Sequence, residues 1–392
     1  MRDCRGIETT SLKRNTVDAL RLVATSACIE GQALRLREVA TRPAFDWGEV
    51  LLSAIRHRML PALGRLVEEA SGREFVPLHL FHFLQLERHF SRTRVRQLNE
   101  RAAELAELLD ARRIPYAFTK GLVLVNEPFV RYGEEREMND LDVTIAPEHA
   151  KHAVKALMDL GYVEGVAKIV GGRPTIRGES PLLKIVYRFA PDHLPHFSKI
   201  RSDGEGGRAT TVDVSLSMTW ANGGGSVPVS SYLDGRRLGV DGKSVRVLAL
   251  DIQFMWIALH CFRHGWLMNL KDFVRDVTLS RFQDILLYWS GCDREDILTP
   301  RFRSLLDSPS VRLPVLWTCH FVDELFGSTI VDELGYGRPA HEFIYSGSFD
   351  NARTTTPWHG SMWGRLEASD RSKLFDMNQR TPFSLFAEAA GN

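Results

Sequence analysis

The chain has 392 residues, a length that suits two or three domains, and its 44% apolar and 25% charged content is ordinary for a globular protein. Lys and Arg total 50 against 49 Asp and Glu, so a net charge of +1 provides no overall field toward a phosphate backbone or an anionic membrane, which argues against bulk nucleic acid and membrane as partners. The five cysteines (Cys4, Cys28, Cys261, Cys292 and Cys319) are odd in number and contain no C-x-x-C pair. Together with a first stretch, MRDCRGIETTSLKRN, that lacks an apolar signal core, and no run near the roughly 18 apolar residues of a membrane helix, they give the expectation of a cytoplasmic protein.

In chain order, Val17 to Leu109 repeats apolar residues at three and four and is predicted helical. FDWGEVLLSAIRHRMLPALGRLVEEA opens at Asp46, a predicted N-cap, and VRQLNERAAELAELLDARRIP carries Leu98, Ala102, Leu105, Leu108 and Leu109 along one face before Pro115. The period then changes. YAFTKG reads as a short strand ending in a Lys-Gly turn, LVLVNEPFV as helix and LDVTI as strand. APEHAKHAVKALMDLGY is a helix punctuated by Pro147 and Gly161, with an expected inward face of Ala150, Val154, Leu157 and Met158. LLKIVYRFA and ATTVDVSLSMTW read as strands separated by the glycine-rich RSDGEGGR, and a further short glycine loop is NGGG. Helix resumes near Leu248 with LALDIQFMWIALHCFRHGWLMNLKDFVRDVTLSRF, and beyond about Ile344 the chain turns polar with scattered aromatics, a tail either loosely ordered or packed across the body. The pattern divides the chain into a helical region over 1–112, a mixed α+β unit over 113–240, and a helical region with a polar tail over 241–392.

Within REMNDLDVTI, strand alternation sends Asp140, Asp142 and Thr144 one way and Leu141, Val143 and Ile145 into a core. Like charges at about 4 Å repel by roughly 1 kcal/mol in water and about 4 kcal/mol at an effective dielectric of 20, a net cost unless a cation lies between them. TTVDVSLS repeats the design, with Val212, Val214 and Leu216 inward and Asp213, Ser215 and Ser217 on the opposite side. If the two strands are neighbours, three carboxylates converge, a hard-oxygen set suited to Mg²⁺ or Mn²⁺. D-x-D alone is more often a solvated strand edge, and the added V-D-V, each flanked by core residues, brings the functional reading level with that one.

RIPYAFTKGLVL, REMNDLDVTI, ALMDLGYV and TTVDVSLS, in this order, resemble the uncharacterised nucleotidyltransferase family of the polymerase-beta-like nucleotidyltransferase superfamily. FDWGEVLLSAIRHRMLPALGRL and IALHCFRHGWLMNLKDFVRDV are similar to its flanking helices, so the likeness runs from about residue 45 to 280. The resemblance implies an α+β catalytic palm, a mixed β-sheet backed by helices, between N- and C-terminal helical regions. It implies that Asp140 and Asp142 hold Mg²⁺ (or Mn²⁺), and that Asp213 completes a second metal site or acts as general base. The implied reaction transfers a nucleoside monophosphate from an NTP to a small-molecule, or peptide or protein, acceptor with release of pyrophosphate. Lys120-Gly121 stands where the wider superfamily has Gly-Ser, and Gly121 with Lys120 is suited to a phosphate at a helix start. The alternative is a catalytically silent nucleotidyltransferase fold that binds a nucleotide or serves as a scaffold.

Arg136, just before the first aspartate, is a candidate phosphate clamp, with pairing to Glu134, Glu135 or Glu137 as the structural alternative. His260 and His264, at i and i+4, share a helix face but lack the glutamate of H-E-x-x-H, so packing or pocket lining is expected rather than zinc. Asp276 is expected to cap or pair within helices. Arg188, His193, His196 and Lys199 form a loop group that would contact triphosphate or acceptor, or simply face solvent.

Overall fold

The computed structural model describes residues 11–171, 173–178, 192–200, 209–218, 227–268 and 276–383. The N-terminal part comprises α1 (Ser11–Thr25), α2 (Gln32–Ala40), α3 (Trp47–Arg56), α4 (Leu60–Glu69) and the 34-residue α5 (Leu78–Ala111). Asp46 caps α3 as its sequence context predicts, its carboxylate accepting from the Gly48 N–H at 2.7 Å.

The palm follows as β1 (Tyr116–Phe118), α6 (Lys120–Asn126), β2 (Asp140–Ile145), α7 (Ala150–Asp159), β3 (Val163–Glu164), the hairpin β4 (Val166–Val170) and β5 (Arg173–Arg177), β6 (Phe197–Ile200) and β7 (Ala209–Ser215). A short pair, β8 (Ser217–Met218) and β9 (Val227–Pro228), precedes β10 (Arg236–Val240) and β11 (Lys243–Val247). Seven of these strands form one mixed sheet in the order β10-β11-β1-β2-β7-β6-β3. It runs past residue 240 to Val247. β1 is antiparallel to β2 and parallel to β11, while β2 is parallel to β7. The expected strand LLKIVYRFA and the loops RSDGEGGR and NGGG lie outside the described residues.

Alternation places Tyr116, Phe118, Leu141, Val143, Val212 and Val214 on one sheet face, where they meet Leu98, Leu105 and Leu109 of α5 and Ala153, Ala156 and Leu157 of α7. Met158, expected inward, is 53% exposed. The fully buried residues of α7 are Ala153, Ala156 and Leu157, with Ala150 and Val154 packed partly buried against the same core, so of the expected inward face only Met158 turns to solvent. Thr144, on the opposite sheet face, is fully buried rather than solvated, because that face is covered as well. A second core there joins Ala117 and Leu124 of the palm to α8 (Leu250–Trp266), α9 (Leu279–Gly291) and α10 (Pro309–Phe326), and continues to Leu20, Val23, Leu63 and Leu66 of the N-terminal helices. The two helical regions, distant in sequence, thus share one core.

The helix expected to run on from Leu248 ends at Trp266 and helix is described again from Leu279. The tail packs across the body. Short strands at Ser346–Gly347, Thr354–Pro357 and Thr381–Pro382 form a small sheet, and α11 (Met362–Glu367) carries Arg365, whose side chain is 0% exposed. Asp276 receives that guanidinium at both oxygens, at 2.8 and 2.9 Å, and Arg371 at 3.1 Å, so it is a structural anchor, as its position among helices suggested. Cys261, Cys292 and Cys319 are buried free thiols. Among the described residues no helix is long and apolar enough to cross a membrane.

Candidate active site

β1 ends at Phe118, the Thr119 N–H donates to the Asp142 carbonyl at 3.0 Å, and Lys120 then takes a left-handed backbone, φ +53°, to enter α6. A left-handed lysine is uncommon, and here the turn brings Nζ to 2.6 Å from Asp142 Oδ1 and 4.0 Å from Asp213 Oδ2. The parallel register of β2 and β7 sets Asp142 directly opposite Asp213. Asp140 lies on the same face at the exposed start of β2. Behind Asp213 stands His193, whose Nδ1 is 3.4 Å from Asp213 Oδ1 and 3.3 Å from Ser215 Oγ.

These distances set the charge states. Burial pushes the Asp142 carboxyl above the usual carboxylate range against the pull of Lys120, and the charges of Asp140 and Asp213 add to the rise. Burial acts on Asp213 in the same sense, but the His193 hydrogen bond and the Lys120 charge prevail and hold it well below its ordinary value. Lys120 stays a cation, burial being outweighed by Asp142 and Asp213. Three carboxylates therefore face one ammonium at this end of the sheet, a surplus of negative charge that suits a divalent ion with oxygen ligands. Among the described residues no three carboxylate, imidazole or thiol groups converge tightly enough to enclose an ion. Lys120 Nζ takes up the space beside Asp142, so an ion bound there requires the lysine to swing away.

Among the described residues Arg136 forms no ion pair with its loop neighbours, of which it reaches only the Glu137 carbonyl, at 3.5 Å. Its Nε and Nη2 donate to the two oxygens of Asp284 on α9 at 2.8 and 2.7 Å, a two-pronged bond between the palm and the C-terminal helices. Glu135 is instead buried against Arg65, Arg88 and Arg92 at 2.9, 2.7 and 2.8 Å. Gly121 makes room for this arrangement, for a Cβ there would lie 2.8 Å from Arg136 Nη1 and 3.1 Å from Met138 Sδ. Gly121→Ala is accordingly expected to destabilise the fold by about 1–3 kcal/mol through overpacking. Denaturant unfolding measures it, and an unchanged midpoint would mean that Arg136 yields without cost.

α6 packs against α8, which carries His260 and His264. Their Nε2 atoms are 3.2 Å apart, and Arg281 Nη1 on α9 lies 2.9 Å from His260 Nδ1. Of the loop group named from sequence, His193 reaches Asp213, Lys199 lies 3.8 Å from Glu104, and Arg188 falls outside the described residues. Arg281 and Asp284, both close to this constellation, carry no sequence signal: an Arg and an Asp at i and i+3 on a helix are commonplace.

The model of the family described as uncharacterised nucleotidyltransferases matches residues 43–327. The chain belongs to that family. This nucleotidyltransferase match begins just ahead of α3 and ends as α10 closes at Gly327, so it takes in the whole palm, the histidine pair, Arg281 and Asp284, and leaves the tail outside. No curated protein matches the chain. Among solved structures the antibiotic-resistance factor ANT(2'')-Ia is similar over 54% of this chain and 91% of that one, at 12% identity and a TM-score of 0.30, a likeness too distant to bear on substrate.

Proposed function

We propose that the chain is a cytoplasmic, Mg²⁺-dependent nucleotidyltransferase, Mn²⁺ being the alternative ion, which moves the nucleoside monophosphate of an NTP to a small-molecule acceptor, or to a peptide or protein, and releases pyrophosphate. The observation that carries this reading is the pairing of Asp142 with Asp213 across β2 and β7, with Asp140 on the same face and Lys120 between them. Asp140 and Asp142 would hold the ion. Asp213, kept ionised by His193 and Lys120, is a weak base and better suited to ligation than to proton removal. A bound divalent ion supplies charge stabilisation at the attacking and leaving oxygens of an in-line displacement.

Lys120 would exchange its carboxylate for a phosphate of the incoming nucleotide, a short swing for a flexible four-carbon stem. Gly121 and Arg136 support that turn from beneath, and Arg136 acts through its bond to Asp284 more readily than as a free clamp. A second reading, a nucleotide-binding scaffold that performs no transfer, is favoured by one feature, the ammonium already seated beside Asp142.

A thermal-shift panel of NTPs with Mg²⁺ separates these readings. The wild type is expected to gain about 2.7 kcal/mol at a ligand concentration of 100 Kd, only when metal is present, and Asp140→Ala and Asp142→Ala to lose the gain. An equal response from the variants would remove the carboxylates from nucleotide binding. Pyrophosphate release with candidate acceptors then marks an enzyme, and its absence a scaffold.

A further inference from the structure

On the side of α8 and α9 that acts on Lys120, two imidazoles and a guanidinium gather, and among the described residues no acid forms an ion pair with that guanidinium. Arg281 has no carboxylate within ion-pair distance among the described residues, and Asp284, whose charge acts on it through space, is engaged at both oxygens by Arg136. The charges that bear most on His260 and His264 are all positive: Lys120, Arg281 and Arg263 on both, and Arg58 on His264. Burial together with these charges holds both rings well below their ordinary pKa, hence neutral at physiological pH.

Their proton positions follow from hydrogen-bond logic. A guanidinium only donates, so His260 Nδ1, 2.9 Å from Arg281 Nη1, must accept, and the proton of His260 sits on Nε2. That N–H donates to His264 Nε2 at 3.2 Å, which leaves the proton of His264 on Nδ1, with no acceptor for it among the described residues. The chain Arg281, His260, His264 therefore ends in a donor with no acceptor among the described residues, and it includes a guanidinium with no ion pair among them. A half-buried arginine without an anion is costly, and the cost is relieved by a ligand that supplies one.

We infer that Arg281, His264 and Lys120, with His260 as the link that orients them, form a binding site for a polyphosphate anion: the β- and γ-phosphates of the nucleotide and then the departing pyrophosphate. The inference rests on the nucleotidyltransferase reading for its source of polyphosphate, but not on the carboxylates. Donors spread over α6, α8 and α9 match an extended, multiply charged anion better than a single phosphate. The site also gives Lys120 a destination when it leaves Asp142.

The test is calorimetric titration of the full chain with inorganic tripolyphosphate in metal-free buffer, where the carboxylates contribute nothing favourable. The wild type is expected to bind, Arg281→Gln to bind on the order of tenfold or more weakly, and His264→Gln to lose a smaller factor. Arg281→Lys keeps the charge but not the fork and should fall between, which supplies the reading if the glutamine variant does not fold. Arg237→Gln, on the far strand β10 and paired with Asp110, should bind as the wild type and rules out a mere net-charge effect. Asp142→Asn should bind equally or more tightly, so failure of the metal site and failure of this one are distinguishable. Binding by the Arg281 variants equal to wild type overturns the inference. So does phosphoserine binding as tightly as tripolyphosphate and displacing it, since the anion would then belong to a phosphorylated acceptor.

Discussion

Asp142→Asn is expected to lower nucleotidyl transfer by about 10³-fold while the chain still folds. The loss corresponds to the several kcal/mol of transition-state stabilisation that a correctly held metal ion supplies. Folding is expected to survive because asparagine is nearly isosteric, keeps an oxygen for the Lys120 ammonium at the 2.6 Å position, and removes like-charge repulsion from Asp140 and Asp213. Lys120 also keeps Asp213 at 4.0 Å as a counter-charge. Single-turnover pyrophosphate release, read with far-UV circular dichroism to confirm the fold, measures the effect. A loss below about tenfold, little more than 1 kcal/mol, would take Asp142 out of the reaction.

Arg365→Met should cause the largest loss of stability, about 3–5 kcal/mol, because it strands a buried carboxylate. Arg365 is 0% exposed, donates to both oxygens of Asp276, and lies between the rings of Trp358 and Phe375 at 5.1 and 5.2 Å. Removing it leaves Asp276, whose side chain is also 0% exposed, with Arg371 at 3.1 Å and the Val277 N–H at 2.6 Å. Urea unfolding reads the change, and pairing it with Asp276→Leu should recover part of the loss, since an apolar pair avoids the uncompensated charge. A cost under about 1 kcal/mol for the single variant would mean that Arg371 alone satisfies Asp276. The effect reaches the site, because Asp276 lies just ahead of α9, which delivers Arg281 and Asp284.

Much of the palm is legible in the residues because its signals are local. The alternation of LDVTI and TTVDVS, the Asp46 cap and the Gly161 stop each depend on a few consecutive residues, and each folds as its pattern predicts. The inward face of α7 is legible except at its edge: Leu157 is buried and Ala150 and Val154 pack against the core, while Met158, one residue round the helix from Leu157, faces solvent. The tail is harder still. An arginine in a polar, aperiodic stretch reads as solvated, and only the distant Asp276 makes its burial tolerable.

The chain's own order of apolar and acidic residues was sufficient to give two strands with aspartates on one face, a Lys-Gly turn before them, and helices on either side. Strand periodicity and helix capping are short-range physics and need no knowledge of the rest of the molecule. Tertiary packing chose the parallel register that sets Asp142 against Asp213, handed Arg136 to Asp284 at a separation of 148 residues, and brought Arg281 to the histidine pair. A charge's partner is settled by which surfaces meet once the core has closed, and one aspartate looks like another until then.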